Sequence, residues 1–118
     1  MVFFDKLETR TAEQRAEDNL HFLRAQIVRA KLLSGYSETL SNVDVKAFSS
    51  LDDLKQLSVM RKSDLTKAQK MNKVLGGLNA RAMSDFAHIF QSPGPIYEPG
   101  GIEHDWWRMG RFLHAAGI

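Results

Sequence analysis

No cysteine occurs in this sequence of 118 residues. The chain therefore has neither a disulfide framework nor a zinc site with cysteine ligands, and nothing in it requires an oxidising compartment. We accordingly expect a cytoplasmic protein. An excess of charge of one sign is also lacking, because 16 basic residues oppose 14 acidic residues. That balance favours neither nucleic acid nor an anionic membrane as a partner.

Long hydrophobic runs are absent as well. The apolar residues 2–4 are followed at once by Asp5 and Lys6, so this run is far shorter than a signal-peptide core or a membrane span. His88, His104 and His114 do not have the spacing of metal ligands, and no Gly-x-Ser-x-Gly elbow is present. The sequence thus predicts no membrane segment, no metal site and no recognisable nucleophile.

Proline is scarce, and all three prolines lie within residues 90–101 together with three of the eight glycines. An apolar run at 86–90 precedes this loop and predicts a buried strand, while Asp105 can cap a helix over 104–116 that carries Trp106 and Trp107. Phosphate-binding loops occupy such a position between a strand and a helix. Proline also fixes φ, so the same loop fits a rigid connection that binds nothing.

The first two thirds of the chain have helical periodicity. Thr11 and Gln14 form a capping-box pattern, and apolar residues then recur every three or four positions, which predicts a helix over 12–34 ended by Gly35. Residues 36–50 are predicted to be irregular. Ser50 is a candidate cap for a short helix at 51–57, and Ser63 for a helix over 64–75. Gly76 and Gly77 would close the last of these helices.

The helix predicted at 64–75 lies in the most basic segment. Its cations are Arg61, Lys62, Lys67, Lys70 and Lys73, and its candidate apolar side is Leu65, Ala68, Met71, Val74 and Leu75. No aromatic residue lies among the cations, which favours a solvated face over a nucleic-acid surface.

The fold predicted from these patterns is mainly α with a small β element. We expect one partial domain over 1–118, with a helical region at 1–80 and a strand, loop and helix at 84–118. A strand followed by a loop and a helix is the start of a parallel βαβ unit. A strand without its parallel neighbour exposes backbone groups, which predicts a homodimer or higher oligomer.

Several motifs in this order resemble the N-terminal part of the phenylacetate-coenzyme A ligase family, a branch of the adenylate-forming enzymes. The motifs are Glu-Thr at 8–9, Leu-Asp-Asp-Leu at 51–54, Arg-Lys-Ser-Asp-Leu at 61–65, Ser-Pro-Gly-Pro-Ile-Tyr-Glu-Pro at 92–99 and Trp-Arg-Met at 107–109. The resemblance extends over nearly all 118 residues and corresponds to about the first quarter of such a ligase. It implies that residues 84–118 start the α/β part of an adenylate-forming domain.

In these ligases the corresponding loop usually reads Ser-Ser-Gly-Thr-Thr-Gly-Lys-Pro and surrounds the phosphates of ATP. Ser92, Gly94 and Pro99 match its first serine, first glycine and final proline, which implies that Ser92 and Gly94 contact the nucleotide. Pro93, Pro95, Ile96, Tyr97 and Glu98 differ from it. Pro95 has no amide donor, and Glu98 places a negative charge where a cation is usual. The chain therefore resembles a divergent subgroup.

The resemblance implies an ATP-dependent ligase that joins an aryl or related carboxylic acid to coenzyme A, with ATP and coenzyme A as cofactors. The 118 residues alone would be inactive, with the remainder of the ligase as partner. The alternative is a small non-catalytic helical interaction module, or a remnant, that associates with itself. The two hypotheses differ in what the reading frame encodes after Ile118.

Overall fold

A computed structural model describes residues 2–72 and 75–118 of the chain. It is mainly helical, with one small antiparallel sheet. The helices are α1 (Ala12–Lys31), α2 (Lys62–Met71) and α3 (Met109–Ala115), and the strands are β1 (Phe86–Ser92) and β2 (Ile96–Gly101). Short 3-10 helices occupy Lys6–Thr9, Val45–Ala47, Leu51–Gln56, Leu75–Gly77 and Met83–Asp85. None of the helices in the described ranges has the length and apolar content needed to span a bilayer.

The start of α1 confirms the predicted capping box. The Thr11 hydroxyl accepts the Gln14 N–H at 3.2 Å, and the Gln14 side chain accepts the Thr11 N–H at 3.0 Å. Two of the free N–H groups at the helix start are thereby satisfied. The helix ends at Lys31 and not at residue 34, and turns follow it as far as residue 42. The predicted irregular connection is thus confirmed.

Helix α1 packs against the 3-10 turns that follow it. Arg24 Nε donates to the Phe48 carbonyl at 2.9 Å, and Lys31 Nζ donates to the Val43 carbonyl at 2.8 Å. Arg24 and Lys31 therefore hold the connection onto the helix, with Ile27 and Phe48 buried at 4% and 2% exposure. The part of the chain that the structure describes contains five buried apolar residues, the others being Leu40, Leu75 and Ile96.

The helices predicted at 51–57 and 64–75 are both present, but their boundaries and capping residues differ from the prediction. Residues 51–56 form a 3-10 helix whose Asp53 carboxylate accepts the Ser49 and Ser50 N–H groups at 2.7 and 2.9 Å. Helix α2 begins two residues before the predicted start, so Ser63 is not its cap. The Asp64 carboxylate accepts the Arg61 N–H at 2.9 Å instead, because an aspartate at the third helical position reaches back to the preceding turn. Helix α2 ends at Met71, and the predicted apolar Val74 and cationic Lys73 lie outside the described residues.

Glycine is required where the end of α1 meets the segment after α2. The Gly35 N–H donates to the Gly77 carbonyl at 3.0 Å. A Cβ at Gly35 would lie 2.5 Å from the Gly76 carbonyl oxygen, which no side chain tolerates. Gly76 itself has φ of 73°, in the left-handed region that glycine reaches without steric cost.

The second half of the chain corrects the predicted βαβ unit. Strand β1 exists, but most of its side chains are exposed, so the prediction of a buried strand was wrong. Its neighbour is β2, which pairs with it in antiparallel orientation, with Gln91 opposite Tyr97 and Ile89 opposite Pro99. The loop predicted to join a strand to a helix therefore joins two strands of a hairpin. The predicted oligomer rested on a strand that lacks its parallel neighbour. That premise is wrong, because β1 is paired with β2.

The terminal helix α3 is shorter than predicted. It starts at Met109 and not at 104, because Asp105 and Arg108 both adopt positive φ. The Asp105 carboxylate still accepts a helix N–H, that of Gly110, at 3.0 Å. Trp106 and Trp107 precede the helix, with Trp106 partly buried and Trp107 59% exposed. The division into regions 1–80 and 84–118 stays a prediction.

Candidate functional site

The proline-rich loop is the tip of the β1–β2 hairpin. Ser92 ends β1, and its Oγ atom is buried without a hydrogen-bond partner among the described residues. Gly94 is exposed with φ of 153°, and a Cβ there would lie 3.0 Å from Ile96 Cγ1. Strand β2 follows the loop where a helix was predicted, so the tip lacks the helix N-terminus that favours phosphate in strand–loop–helix sites.

A side-chain amide connects the hairpin to α2. Gln69 Nε2 donates to the Tyr97 carbonyl at 2.8 Å, and Gln69 Oε1 accepts the Tyr97 N–H at 2.9 Å. One glutamine thus satisfies both backbone groups of Tyr97, as a neighbouring strand would. The pair joins residues 28 positions apart and fixes β2 beside the helix.

A cleft of about 370 Å³ lies beside this pair, between α2, the segment that follows it and the hairpin. Its walls are mainly apolar, as expected of a small-molecule site. The apolar lining residues are Leu65, Leu75, Leu78, Ala80, Phe86, Ile96, Pro99 and Trp106, and the polar ones are Gln69, Asn79, Arg81, Tyr97 and Glu98. A smaller hollow of about 240 Å³ is lined by Gln69, Leu75, Met83, Ile89 and Tyr97. The helix and hairpin are therefore loosely packed on each other.

The arginine that lines this cleft is already neutralised. Arg81 forms an ion pair with Glu103, and its guanidinium carbon lies 5.4 Å from the centre of the Trp106 ring. The backbone N–H of Glu103 and then the Arg81 side chain hold the pKa of Glu103 below its usual value. Glu98 adds a negative charge to the lining. The electrostatics of the cleft do not favour a triphosphate.

One hydrogen-bond acceptor in the cleft is unused. Asn79 Nδ2 donates to the Arg81 carbonyl at 2.6 Å, whereas Asn79 Oδ1 is buried and has no partner among residues 2–72 and 75–118. Buried polar atoms are normally satisfied. The cleft can therefore hold an apolar group that carries one hydrogen-bond donor.

A second cleft, of about 740 Å³, lies between the N-terminal turn and α3. Charges of both signs line it: Asp5, Glu103 and Asp105 against Arg81, Arg108 and Arg111. Arg111 is paired with Asp5 and lies 3.7 Å from Glu8. Burial acts to raise the pKa of Asp5, but hydrogen bonds from Arg111 and from the Leu7 N–H outweigh it and lower that pKa. This cleft has no excess charge to select an ion.

The other candidate residues are spread over the surface. His88 stacks on Phe90, whereas His114 lies 2.9 Å from the Val2 carbonyl through Nε2. In the described ranges, no three histidine or carboxylate side chains come close enough together to hold a metal ion. Lys62, Lys67 and Lys70 are exposed on α2, as predicted for a solvated face.

Gln69, Asn79 and Arg81, which line the first cleft, were not predicted as site residues. Nothing in a single sequence indicates that a glutamine in a helix pairs with backbone 28 residues away. Neither a protein-family model nor a curated protein sequence matches this chain.

Proposed function

We propose that this chain is the N-terminal portion of an ATP-dependent ligase that joins aryl or related carboxylic acids to coenzyme A, of the phenylacetate-coenzyme A ligase type. In this role it supplies docking surface and the hairpin tip to a larger catalytic body and has no activity of its own. The support from the sequence is the ordered set of motifs described above. The support from the structure is the amount of surface left uncovered.

The chain exposes far more surface than a self-contained protein of its mass. Its accessible area is 9304 Å², whereas a folded monomer of 13.4 kDa is expected to expose about 6,500 Å². Its radius of gyration is 17.0 Å, against about 13.5 Å for a compact domain of this length. The excess of about 2,800 Å² includes many large apolar side chains, among them Phe22, Phe112 and Trp107 at 59–66% exposure. This excess is the observation that carries the proposal.

The size of the excess favours a large partner. A standard interface covers about 800 Å² on each protein, so one contact with a second small chain would leave most of the excess exposed. A catalytic body that surrounds the chain on several sides would cover it. Ser92 and Gly94 would then contact the nucleotide: Gly94 is exposed at the tip, and the Ser92 hydroxyl, which is buried without a partner among the described residues, would become accessible when the tip opens.

The reading frame after Ile118 provides the test. The proposal expects coding sequence for further strands and helices, and the longer polypeptide is expected to release pyrophosphate only with ATP, Mg²⁺ and an aryl acid. Ser92→Ala should raise KM for ATP about 10-fold or more, because hydrogen bonds to charged groups contribute about 1.5–3 kcal/mol. Ser84→Ala, at an exposed serine outside the hairpin, is the matched control. A stop codon after Ile118 would refute the proposal.

A second candidate function is a non-catalytic helical interaction module. The observation that favours it is the charge of the cleft, where Arg81 is occupied by Glu103 and Glu98 is negative. The 118-residue chain should show no acid-dependent pyrophosphate release under either hypothesis. Activity of the longer polypeptide that Ser92→Ala leaves unchanged, with the same KM for ATP, would remove the hairpin tip from the nucleotide site.

A further inference from the structure

The outer edge of β1 has free hydrogen-bonding groups. In an antiparallel pair, successive residues point their backbone groups alternately toward and away from the partner strand. Tyr97 points its groups away from β1, toward Gln69, so its partner Gln91 points away from β2. By the same alternation Ile89 also points outward. Outside the β1–β2 ladder, no backbone hydrogen bond within residues 2–72 and 75–118 involves the N–H or C=O groups of Ile89 or Gln91.

The two edges of the hairpin differ in protection. On the β2 edge, Gln69 occupies the groups of Tyr97, and Pro99 has no N–H to offer. Natural proteins protect edge strands in these ways, and also with lysine or other charges. From His88 to Ser92 the β1 edge has none of them, because residues 88–92 contain neither proline nor a formally charged side chain and the register shift between Phe86 and His88 lies before this stretch. Ile89 and Phe90 are 42% and 46% exposed.

We propose that the β1 edge pairs with the β1 edge of a second copy of this chain, in antiparallel orientation about a two-fold axis at Phe90. In this register Ile89 lies opposite Gln91 of the second copy, and the outward groups of the two residues form four backbone hydrogen bonds across the axis. The two Phe90 side chains then meet in a cross-strand aromatic pair. The two hairpins become one four-stranded sheet.

The chemistry of the strand fits a second copy. In this register residues 88–92 lie opposite residues 88–92 of the second copy, and none of them is formally charged, so no like charges meet along the edge. Phe90 already contacts the Trp107 ring at 5.9 Å between centroids, and Trp107 is 59% exposed. The second copy extends this aromatic face along the sheet. The inference does not rest on the proposed function, because pairing of the edges requires neither a nucleotide nor catalysis.

Cysteine scanning tests the register, because the native chain has no cysteine. Phe90→Cys places two thiols across the axis in a pair whose Cβ atoms are about 4.5–5.5 Å apart, within reach of a disulfide after small shifts. We expect the 118-residue Phe90→Cys chain to form a disulfide dimer under mild oxidation. Tyr97→Cys is the matched control, since Tyr97 is similarly exposed at 40% but lies on the occupied edge, and it should form no disulfide dimer.

A proline substitution tests the backbone groups themselves. Ile89→Pro removes an outward N–H and leaves the β1–β2 ladder intact, whereas Ile89→Val keeps the N–H. Sedimentation at about micromolar to 100 micromolar protein should show a dimer for the native chain and Ile89→Val, and the single-chain mass of 13.4 kDa for Ile89→Pro. A monomeric native chain would overturn the proposal, as would equal cross-linking at positions 90 and 97. In the Phe90→Cys variant of a longer polypeptide, protection of the introduced thiol by a downstream segment would overturn it as well.

Discussion

Replacing Gln69 by alanine removes both hydrogen bonds that join α2 to β2. A neutral hydrogen bond contributes about 0.5–1.5 kcal/mol net, and the Gln69 amide is only half-buried, so the lower half of that range applies to each bond. Alanine has a slightly better helix propensity than glutamine, which offsets a few tenths of a kcal/mol. We therefore expect the free energy of unfolding to fall by about 0.7–1.7 kcal/mol.

Thermal and urea unfolding measure this change at fixed protein concentration. For a chain of 118 residues, a loss of about 1 kcal/mol lowers Tm by about 4 °C, so Gln69→Ala should melt about 3–7 °C lower. Gln69→Glu can still accept the Tyr97 N–H but has no donor for the Tyr97 carbonyl, and should behave similarly. Hydrogen exchange at the Tyr97 amide should accelerate in Gln69→Ala and stay slower in Gln69→Glu.

Lys70→Ala is the control, because Lys70 is the next residue of α2 and is exposed. It should leave Tm and the Tyr97 exchange rate nearly unchanged. If Gln69→Ala were no less stable than Lys70→Ala and the Tyr97 amide kept its protection, the hairpin would be held to the helix by other contacts. The description of the Gln69–Tyr97 pair as the connection would then be refuted.

Three further predictions concern stability. Phe48→Ala should lower the free energy of unfolding by about 3 kcal/mol, since Phe48 is 2% exposed; urea midpoints against Leu51→Ala, at a 36% exposed leucine, give the comparison. Gly76→Ala should lower the free energy of unfolding by about 1–2 kcal/mol because of the positive φ, and by more because the new Cβ would lie 3.1 Å from Ala68. Gly117→Ala should lower it less, since no atom lies within 4 Å of its Cβ, and equal losses would contradict this prediction. The Ser50 and Ser49 N–H groups lower the pKa of Asp53. The contribution of Asp53 to the free energy of unfolding is therefore complete above the unfolded-chain pKa of about 3.9 and is lost as pH falls through the lower folded-state pKa. In urea titrations at several pH values, Asp53→Asn should reduce this loss.

The sequence predicted the start of α1 correctly because the signals there are local, whereas it placed the end of the helix at residue 34 and not at Lys31. Thr11 and Gln14 interact within one turn, and the apolar stripe repeats within the helix itself. The errors at α2 and α3 concern boundaries. At α2 an acidic residue at the third helical position displaced Ser63 as the cap, and at α3 the positive φ of Arg108 delayed the helix start.

The hairpin was missed because a proline such as Pro99 argues against a second strand. Ile89 and Pro99 form a pair whose backbone groups face outward, so the missing N–H of Pro99 leaves the ladder intact. A Pro-Gly-Pro turn between the apolar run at 86–90 and the β-favouring pair Ile96 and Tyr97 was the available signal for a hairpin. The cleft could not be predicted, since Gln69 and Arg81 reach it only through contacts between elements distant in sequence.

The ion pair of Arg111 with Asp5 joins residues 106 positions apart, and His114 contacts Val2 over a separation of 112. Closing a loop of that length costs conformational entropy that no local contact offsets in advance. We therefore expect α1 and the hairpin to form early in folding and the docking of the N-terminal turn on α3 to come last. The same contact should open first under mild denaturant, as an early, non-cooperative step in which Trp106 and Trp107 fluorescence changes before the helical signal of α1.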